Sequence, residues 1–233
     1  MRERRFLNIV RYLLEDIVPP FARDSWAFYP VLWILYRSDT KRQASFRSLV
    51  AKMSPEEYKE YYALFPGLDT ETDCNQACLN EITQRVVGES TLDVGCGRGY
   101  LANLISDTNQ TITSAIDFIV LDEVREKYPQ VEFHVGAIEK LPFADNSFDT
   151  VVCTHTLEHI LNLHQAISEL RRITKKRLII VVPREREYYY SFNLHVHFFP
   201  YTHSFEKHML PLPKNYECRL VDGDILYWED VDL

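Results

Sequence analysis

The sequence predicts an α/β protein: a sheet covered by helices on both faces, behind a helical N-terminal extension. Five short strand-like runs, at 91–95, 112–117, 131–135, 149–154 and 177–183, alternate with helical patterns near 98–107, 120–128 and 163–175. That alternation is the order that builds a largely parallel, doubly wound sheet. The run 178–182 is apolar without interruption, as a strand buried on both faces should be. Two further runs, 217–221 and 224–228, flank Asp222-Gly223, a hairpin signal, which with the five runs makes seven strands, the last pair antiparallel to each other.

In chain order, residues 1–87 read as a helical extension or cap and 88–233 as the sheet domain. Phe6, Ile9, Val10 and Leu13 recur at helical spacing. Ser54, Pro55 and Glu57 have the spacing of an N-cap, a first-turn proline and a capping-box acid, which predicts a helix from there to about 65. A second helix is expected over 73–86, and the sheet begins after Gly88. The stretch WAFYPVLWILY at 26–36 is apolar but broken by Pro30, and it is too short to span a bilayer. It is expected to pack as a helix over the sheet domain; the competing reading is a lid or interfacial patch that receives an apolar or lipid-linked substrate.

The segment TLDVGCGRGYL carries the most chemical information. A tight turn from a strand into a helix needs residues without a Cβ, both for positive φ and for close approach of a ligand. Gly95, Gly97 and Gly99 are two apart, behind a buried run that ends with Asp93 and Val94, and Leu101, Leu104 and Ile105 follow at helical spacing. A dinucleotide fingerprint spaces its last two glycines three apart, and a carboxylate at Asp93 would repel a pyrophosphate but attract a cationic amino acid group. A second acid, Asp117, ends the next strand at roughly the 20-residue interval of a ribose-binding acid, where it would accept from ribose hydroxyls.

From about 90 to 183 the chain resembles the class I S-adenosylmethionine-dependent methyltransferases, in particular the small-molecule branch called type 11. The resemblance rests on TLDVGCGRGYL, Asp117, VGAIEKLPFADNSFDTVVCTHTLEHI and the helix and strand that follow. It implies a Rossmann-like fold and S-adenosylmethionine as cofactor, contacted by Asp93, Gly95, Cys96, Gly97, Gly99, Asp117, Ala137, Ile138 and Thr154. Two departures accompany it. The family carries an acid for the adenine amino group where this chain has Ala137, which leaves the Ile138 backbone N–H or the neighbouring Glu139 to meet the ring. The proline-glycine-glycine turn that usually precedes the last parallel strand is also missing from RITKKRLIIVVP, so that loop is shortened.

In a doubly wound sheet, chemistry belongs at the carboxyl edge of the strands. Thr154, His155, Glu158 and His159 stand there, straight after the fourth strand. Methyl transfer from a sulfonium needs an in-line nucleophile more than an elaborate acid-base apparatus. A hydroxyl acceptor would still gain from a base, and His155 is the first candidate, followed by His159. The segment 184–210 replaces the generic loop and helix after the fifth strand and is rich in Tyr188, Tyr189, Tyr190, Phe192 and Tyr201, aromatics suited to a sugar, phenol or polyketide-like acceptor. Within it HVHFF reads as a strand whose alternating His195 and His197 line the acceptor pocket with Tyr201. The same histidines, with His155, Glu158 and His159, are similar to the metal ligands of certain RNA 3′-end methyltransferases. Those enzymes carry a further glutamate where this chain has His155, and no metal is expected.

Composition bounds the function. The 233 residues, 46% hydrophobic and 26% charged, suit one soluble domain with an appendage. A net charge of -8 disfavours a nucleic-acid partner. The one basic stretch, 171–177, reads as a solvated helix end whose cations favour the dipole. Five scattered cysteines form no disulfide framework; Cys74 and Cys78, four apart, read as reduced core thiols. With no signal peptide or transmembrane segment recognised, a cytoplasmic location is expected. The reading is a methyltransferase acting on an oxygen or nitrogen of a small-molecule acceptor, a glycan or natural-product intermediate being favoured. The rivals are a methyltransferase-like module that binds without catalysis and a metal-dependent enzyme of the RNA 3′-end type.

Overall fold

The computed structural model describes residues 13, 17–27, 30, 46, 49–50, 52–63, 71–187 and 194–231. These fall into two compact units, one of Met1–Pro66 with Glu185–Pro200 and one of Gly67–Arg184 with Tyr201–Leu233. The second unit holds a seven-stranded sheet in the order β3-β2-β1-β4-β5-β7-β6. Its strands are β1 Ser90–Val94, β2 Ile112–Asp117, β3 Glu132–Val135, β4 Phe148–Thr154, β5 Thr174–Pro183, β6 Tyr216–Val221 and β7 Asp224–Asp230. The first five pair in parallel, while β7 runs antiparallel to both β5 and β6. The order reverses between β1 and β4, so a crevice opens at their carboxyl ends.

The fold grows from covered strands. Leu178, Ile179, Ile180, Val181 and Val182 of β5 are all fully buried. Because side chains alternate across a strand, Ile179 and Val181 face one side, where they join Val152, Leu226, Leu79, Ile82, Leu101 and Ile105 in a single cluster. The helices Gln76–Arg85 and Tyr100–Asn109 cover that face. The helix Leu163–Ile173 packs on β4 and β5, burying Leu163, Ala166, Ile167, Leu170 and Ile173 along one stripe. Each such branched side chain contributes about 1.5–3 kcal/mol when withdrawn from water.

Local signals behave as their chemistry requires. Ser54 and Glu57 form the reciprocal capping box of the helix Pro55–Ala63, the Glu57 N–H donating to Ser54 Oγ at 3.2 Å and the Ser54 N–H to Glu57 Oε2 at 2.8 Å. Asn162 caps the helix Leu163–Ile173 by accepting from the Gln165 N–H at 3.3 Å. The hairpin turns at Asp222 and Gly223 with φ of 45° and 91°, the two positive values a type I′ turn demands. Cys74 and Cys78 are buried in the core and neither is in a disulfide.

Two expectations change. The basic stretch is not a solvated helix end. Helix Leu163–Ile173 passes directly into β5, which pairs from Thr174 through a register shift near Phe148, so the shortened connection has no loop of its own. Only Arg171 and Arg172 lie in the helix, and the cations are paired: Arg171 with Glu229, Arg172 with Glu169 and Asp145, Lys176 with Asp149, and Arg177 with Asp230. The HVHFF strand is likewise absent, since residues 194–198 are irregular and only Phe199 forms an isolated bridge. A histidine alternation supplies faces but no partner strand.

The helix expected around Phe6 to Leu13, most of 26–36, and Tyr188, Tyr189, Tyr190 and Phe192 lie outside the described residues. Among the described residues, no helix is long and apolar enough to cross a membrane.

Candidate cofactor and active site

The carboxyl ends of β1, β2, β3 and β4 bring most of the expected cofactor residues into one region. The loop after β1 is shaped by left-handed glycines, with φ of 75° at Gly95 and 50° at Gly97. At Gly95 a Cβ would overlap the Thr156 side chain, so the residue is required by a neighbour as well as by its backbone. At Gly97 the opposite holds: among the described residues nothing lies within 4 Å of where a Cβ would stand, which leaves room there for a ligand. Gly99 caps the helix Tyr100–Asn109, and its N–H closes the turn onto the Cys96 carbonyl at 2.8 Å. The N–H groups of Gly95 and Cys96 both donate to the Ile116 carbonyl, at 2.8 and 3.2 Å, which fastens the loop to β2.

Asp93 is 1% exposed, and among the described residues neither carboxylate oxygen has a partner in hydrogen-bonding geometry, the Ala102 N–H only lowering its pKa against burial. A buried polar group normally finds one. Burial, and after it the charge of Asp117, pushes its pKa up to about 7. Asp117 itself is held above the usual carboxylate range by burial, against which the N–H groups of Gly97, Ile119 and Phe118 work. Its Oδ2 accepts from the Gly97 N–H at 2.9 Å and its Oδ1 from the Ile119 N–H at 3.3 Å. A carboxylate has about four lone-pair sites, so capacity for ligand hydroxyls remains.

The other expected cofactor residues differ in what they offer. Cys96 packs with Ala102, Ala115 and Phe133 in a core cluster, and burial pushes its thiol pKa far up. Its backbone N–H donates to the Ile116 carbonyl of β2 and its carbonyl accepts from the Gly99 N–H, while its side chain is a packing element. The segment after β3 is tied to β2 by the Gly136 N–H donating to the Asp117 carbonyl at 3.0 Å. Ala137 is exposed and presents only a methyl group, while Ile138 is buried.

After β4 the chain turns sharply. His155 adopts φ 47° while its N–H donates to the Val181 carbonyl at 2.9 Å. Its imidazole lies between two acids, Nδ1 being 3.6 Å from Glu158 Oε1 and Nε2 3.5 Å from Asp224 Oδ2. Burial opposes the charge, but the Asp224 and Glu158 carboxylates outweigh it and raise the His155 pKa to about 10. The two carboxylates thus favour the charged, donating form of this imidazole over the accepting one. Thr156 donates from its hydroxyl to the Thr154 carbonyl at 2.9 Å. A 3-10 turn, Leu157–His159, then carries half-buried His159, whose Nε2 is 4.0 Å from Glu158 Oε1.

Of the residues expected at the acceptor, Tyr201 lies in the sheet unit, 46% exposed, with its ring stacked on His203 at 5.1 Å. His195 and His197 belong to the other unit, where His195 Nδ1 meets Glu185 Oε2 at 2.5 Å. Three residues escaped the sequence reading. Asn75 caps the helix Gln76–Arg85 through its Oδ1 and donates from Nδ2 to Asp224 Oδ2 at 2.9 Å and to the Val221 carbonyl at 3.2 Å. Asp224 and Thr156 act through neighbours far away in sequence. The only local signal was Asn75 itself, a good N-cap residue just inside the expected helix.

Residues 92–182 match the family model of a methyltransferase domain. A protein of Mycolicibacterium smegmatis named a probable S-adenosylmethionine-dependent methyltransferase is 30% identical over 109 residues, covering 46% of this chain and 42% of that one. A demethylmenaquinone methyltransferase of Chlorobaculum parvum is 30% identical over 141 residues, 58% of each chain. The chain spans about half the length of the curated relatives it matches. Among solved structures, a protein from Pyrococcus horikoshii aligns with a TM-score of 0.55 at 20% identity, covering 74% of this chain and 99% of that one, a likeness of fold.

Proposed function

Through residues 92–182 the chain belongs to the class I S-adenosylmethionine-dependent methyltransferase family, and we propose that it methylates an oxygen or nitrogen atom of a small-molecule acceptor. The observation that carries this reading is Asp93, a fully buried carboxylate whose oxygens meet no hydrogen-bond partner among the described residues, beside a glycine loop that those residues leave open at Gly97. An uncompensated buried acid costs stability, and a cationic ligand group answers it. The residues therefore fit the cofactor. When bound, S-adenosylmethionine supplies an electrophilic methyl group on a sulfonium.

The chain's own residues do the rest. Asp93 would receive the cationic amino acid end, and Asp117, already anchored by the Gly97 N–H, would accept from the ribose hydroxyls. Gly95, Gly97 and Gly99 keep the loop free of side chains that would block the approach. Ala137 offers the adenine no carboxylate, which leaves the Ile138 N–H for that edge, and Thr154 closes the site from β4. Of the two histidines after β4, we assign removal of an acceptor proton to His159, because both ring nitrogens of His155 face carboxylates, those of Glu158 and Asp224. His195, His197 and Tyr201 are assigned to the acceptor, whose class we take to be a glycan or natural-product intermediate, as the aromatic residues of 184–210 suit.

Calorimetry tests the first step. Purified protein titrated with S-adenosylmethionine or S-adenosylhomocysteine is expected to give saturable heat with a one-to-one stoichiometry. No heat with either ligand would sink the enzyme reading.

A further inference from the structure

The turn after β4 is more tightly built than a loop that only displays His159 would need. His155 sits in the left-handed region, φ 47°, which is uncommon for a residue with a Cβ, and its surroundings hold it there. Three elements do so: Glu158 from the following 3-10 turn, Asp224 from the start of β7, and the Val181 carbonyl from β5. Asp224 is braced in turn by Asn75, the cap of the helix Gln76–Arg85. The residue fixed by this turn is Thr156, whose side chain presses on Gly95 so closely that no Cβ would fit between them.

We infer that His155 is a positioning residue for cofactor binding: held between Glu158 and Asp224, it sets the turn that seats Thr156 against Gly95 and so fixes the loop carrying Gly97. The route runs from the β6–β7 hairpin, through the end of β4, to the glycine loop. His155 touches no ligand in this scheme and acts only through Thr156. The inference rests on the cofactor reading above and adds to it residues outside the 92–182 family match, namely Asn75 and Asp224.

The test is a thermodynamic cycle on the full chain, with S-adenosylhomocysteine affinity read by calorimetry and folding by circular dichroism. His155→Asn removes the cation while keeping a residue that tolerates left-handed backbone. Thr156→Ala removes the contact with Gly95. Each is expected to weaken binding roughly tenfold at a temperature where the variant is fully folded, a coupling of ordinary size. The double variant is expected to bind about as weakly as either single one, because both changes break the same route. If His155→Asn does not fold, His155→Asn combined with Asp224→Asn balances the charge and takes its place. A role in stability alone would lower the melting temperature and leave affinity unchanged, which overturns the inference. So does an additive double variant, roughly a hundredfold weaker, or a Thr156→Ala chain with wild-type affinity. Absence of binding by the unaltered chain overturns the cofactor reading, and this inference with it, whereas binding that survives in every variant overturns this inference alone.

Discussion

Asp93 sets folding and binding against each other. Its pKa of about 7 in the folded chain stands above its ordinary 3.8, so the native state keeps a proton that the unfolded chain releases. For a raised acid, that contribution to stability is complete below about pH 4 and is lost as pH rises through about 7. Asp93→Asn is therefore expected to stabilise the ligand-free protein by about 1–2 kcal/mol near pH 8, with the advantage shrinking in acid; melting curves at several pH values check it. The same substitution should weaken cofactor binding. A cationic ligand also draws the proton off Asp93, so binding near pH 6 should show heats that depend on the buffer's ionisation enthalpy. Heats independent of buffer would take Asp93 out of the cation's reach. At Asp117, replacement by Ala removes an acceptor and frees the Gly97 N–H, and a loss of about 1.5–3 kcal/mol in cofactor affinity is expected by calorimetry. Both acids were legible in the sequence because each ends a strand beside a recognisable turn. The acidic surroundings of His155 were not, because Asp224 reaches it from the far end of the chain.

Elements divide by the range of the interactions that make them. The Ser54–Glu57 box and the Asp222-Gly223 turn are completed within three or four residues, and the sequence shows them directly. Asn75 differs, since its Nδ2 reaches Asp224 across 149 positions while its Oδ1 caps its own helix. Asn75→Ala should cost about 2 kcal/mol, the cap together with buried acceptors left short of a donor, and thermal denaturation should show a clear drop in melting temperature. A change of only a few tenths would mean that the tie to the hairpin contributes nothing. Long range also explains the misread basic stretch. Arg171 lies against Glu229, which is 3% exposed and accepts from the Tyr227 hydroxyl at 2.5 Å, a pocket that exists only once β7 lies beside β5. For HVHFF the alternation was present but no neighbouring strand was, and pairing, not pattern, makes a strand.

At the scale of the whole molecule, a parallel sheet needs crossovers and both faces covered, and the sheet unit satisfies this within residues 67–184 and 201–233. The helix Gln76–Arg85 is part of that cover, its Cys78, Leu79 and Ile82 buried against β4, β5 and β7. Deletion of residues 1–66 is thus expected to leave a chain that keeps the sheet and unfolds in one cooperative transition. Circular dichroism through a thermal ramp would show it, and a chain without a transition would mean that the first unit completes the core.

The sequence by itself determined the succession of strands and helices in the core, the glycine loop, the two acids, the hairpin and the resemblance to a methyltransferase family. Each of these is written in short-range periodicity, turn chemistry or a contiguous motif. Tertiary structure alone decided that Asp93 is buried, that His155 stands between Glu158 and Asp224, that Thr156 presses on Gly95, and that the 171–177 cations are paired. Burial and charge pairing depend on which distant segments the fold brings within a few ångströms, and no local pattern encodes that.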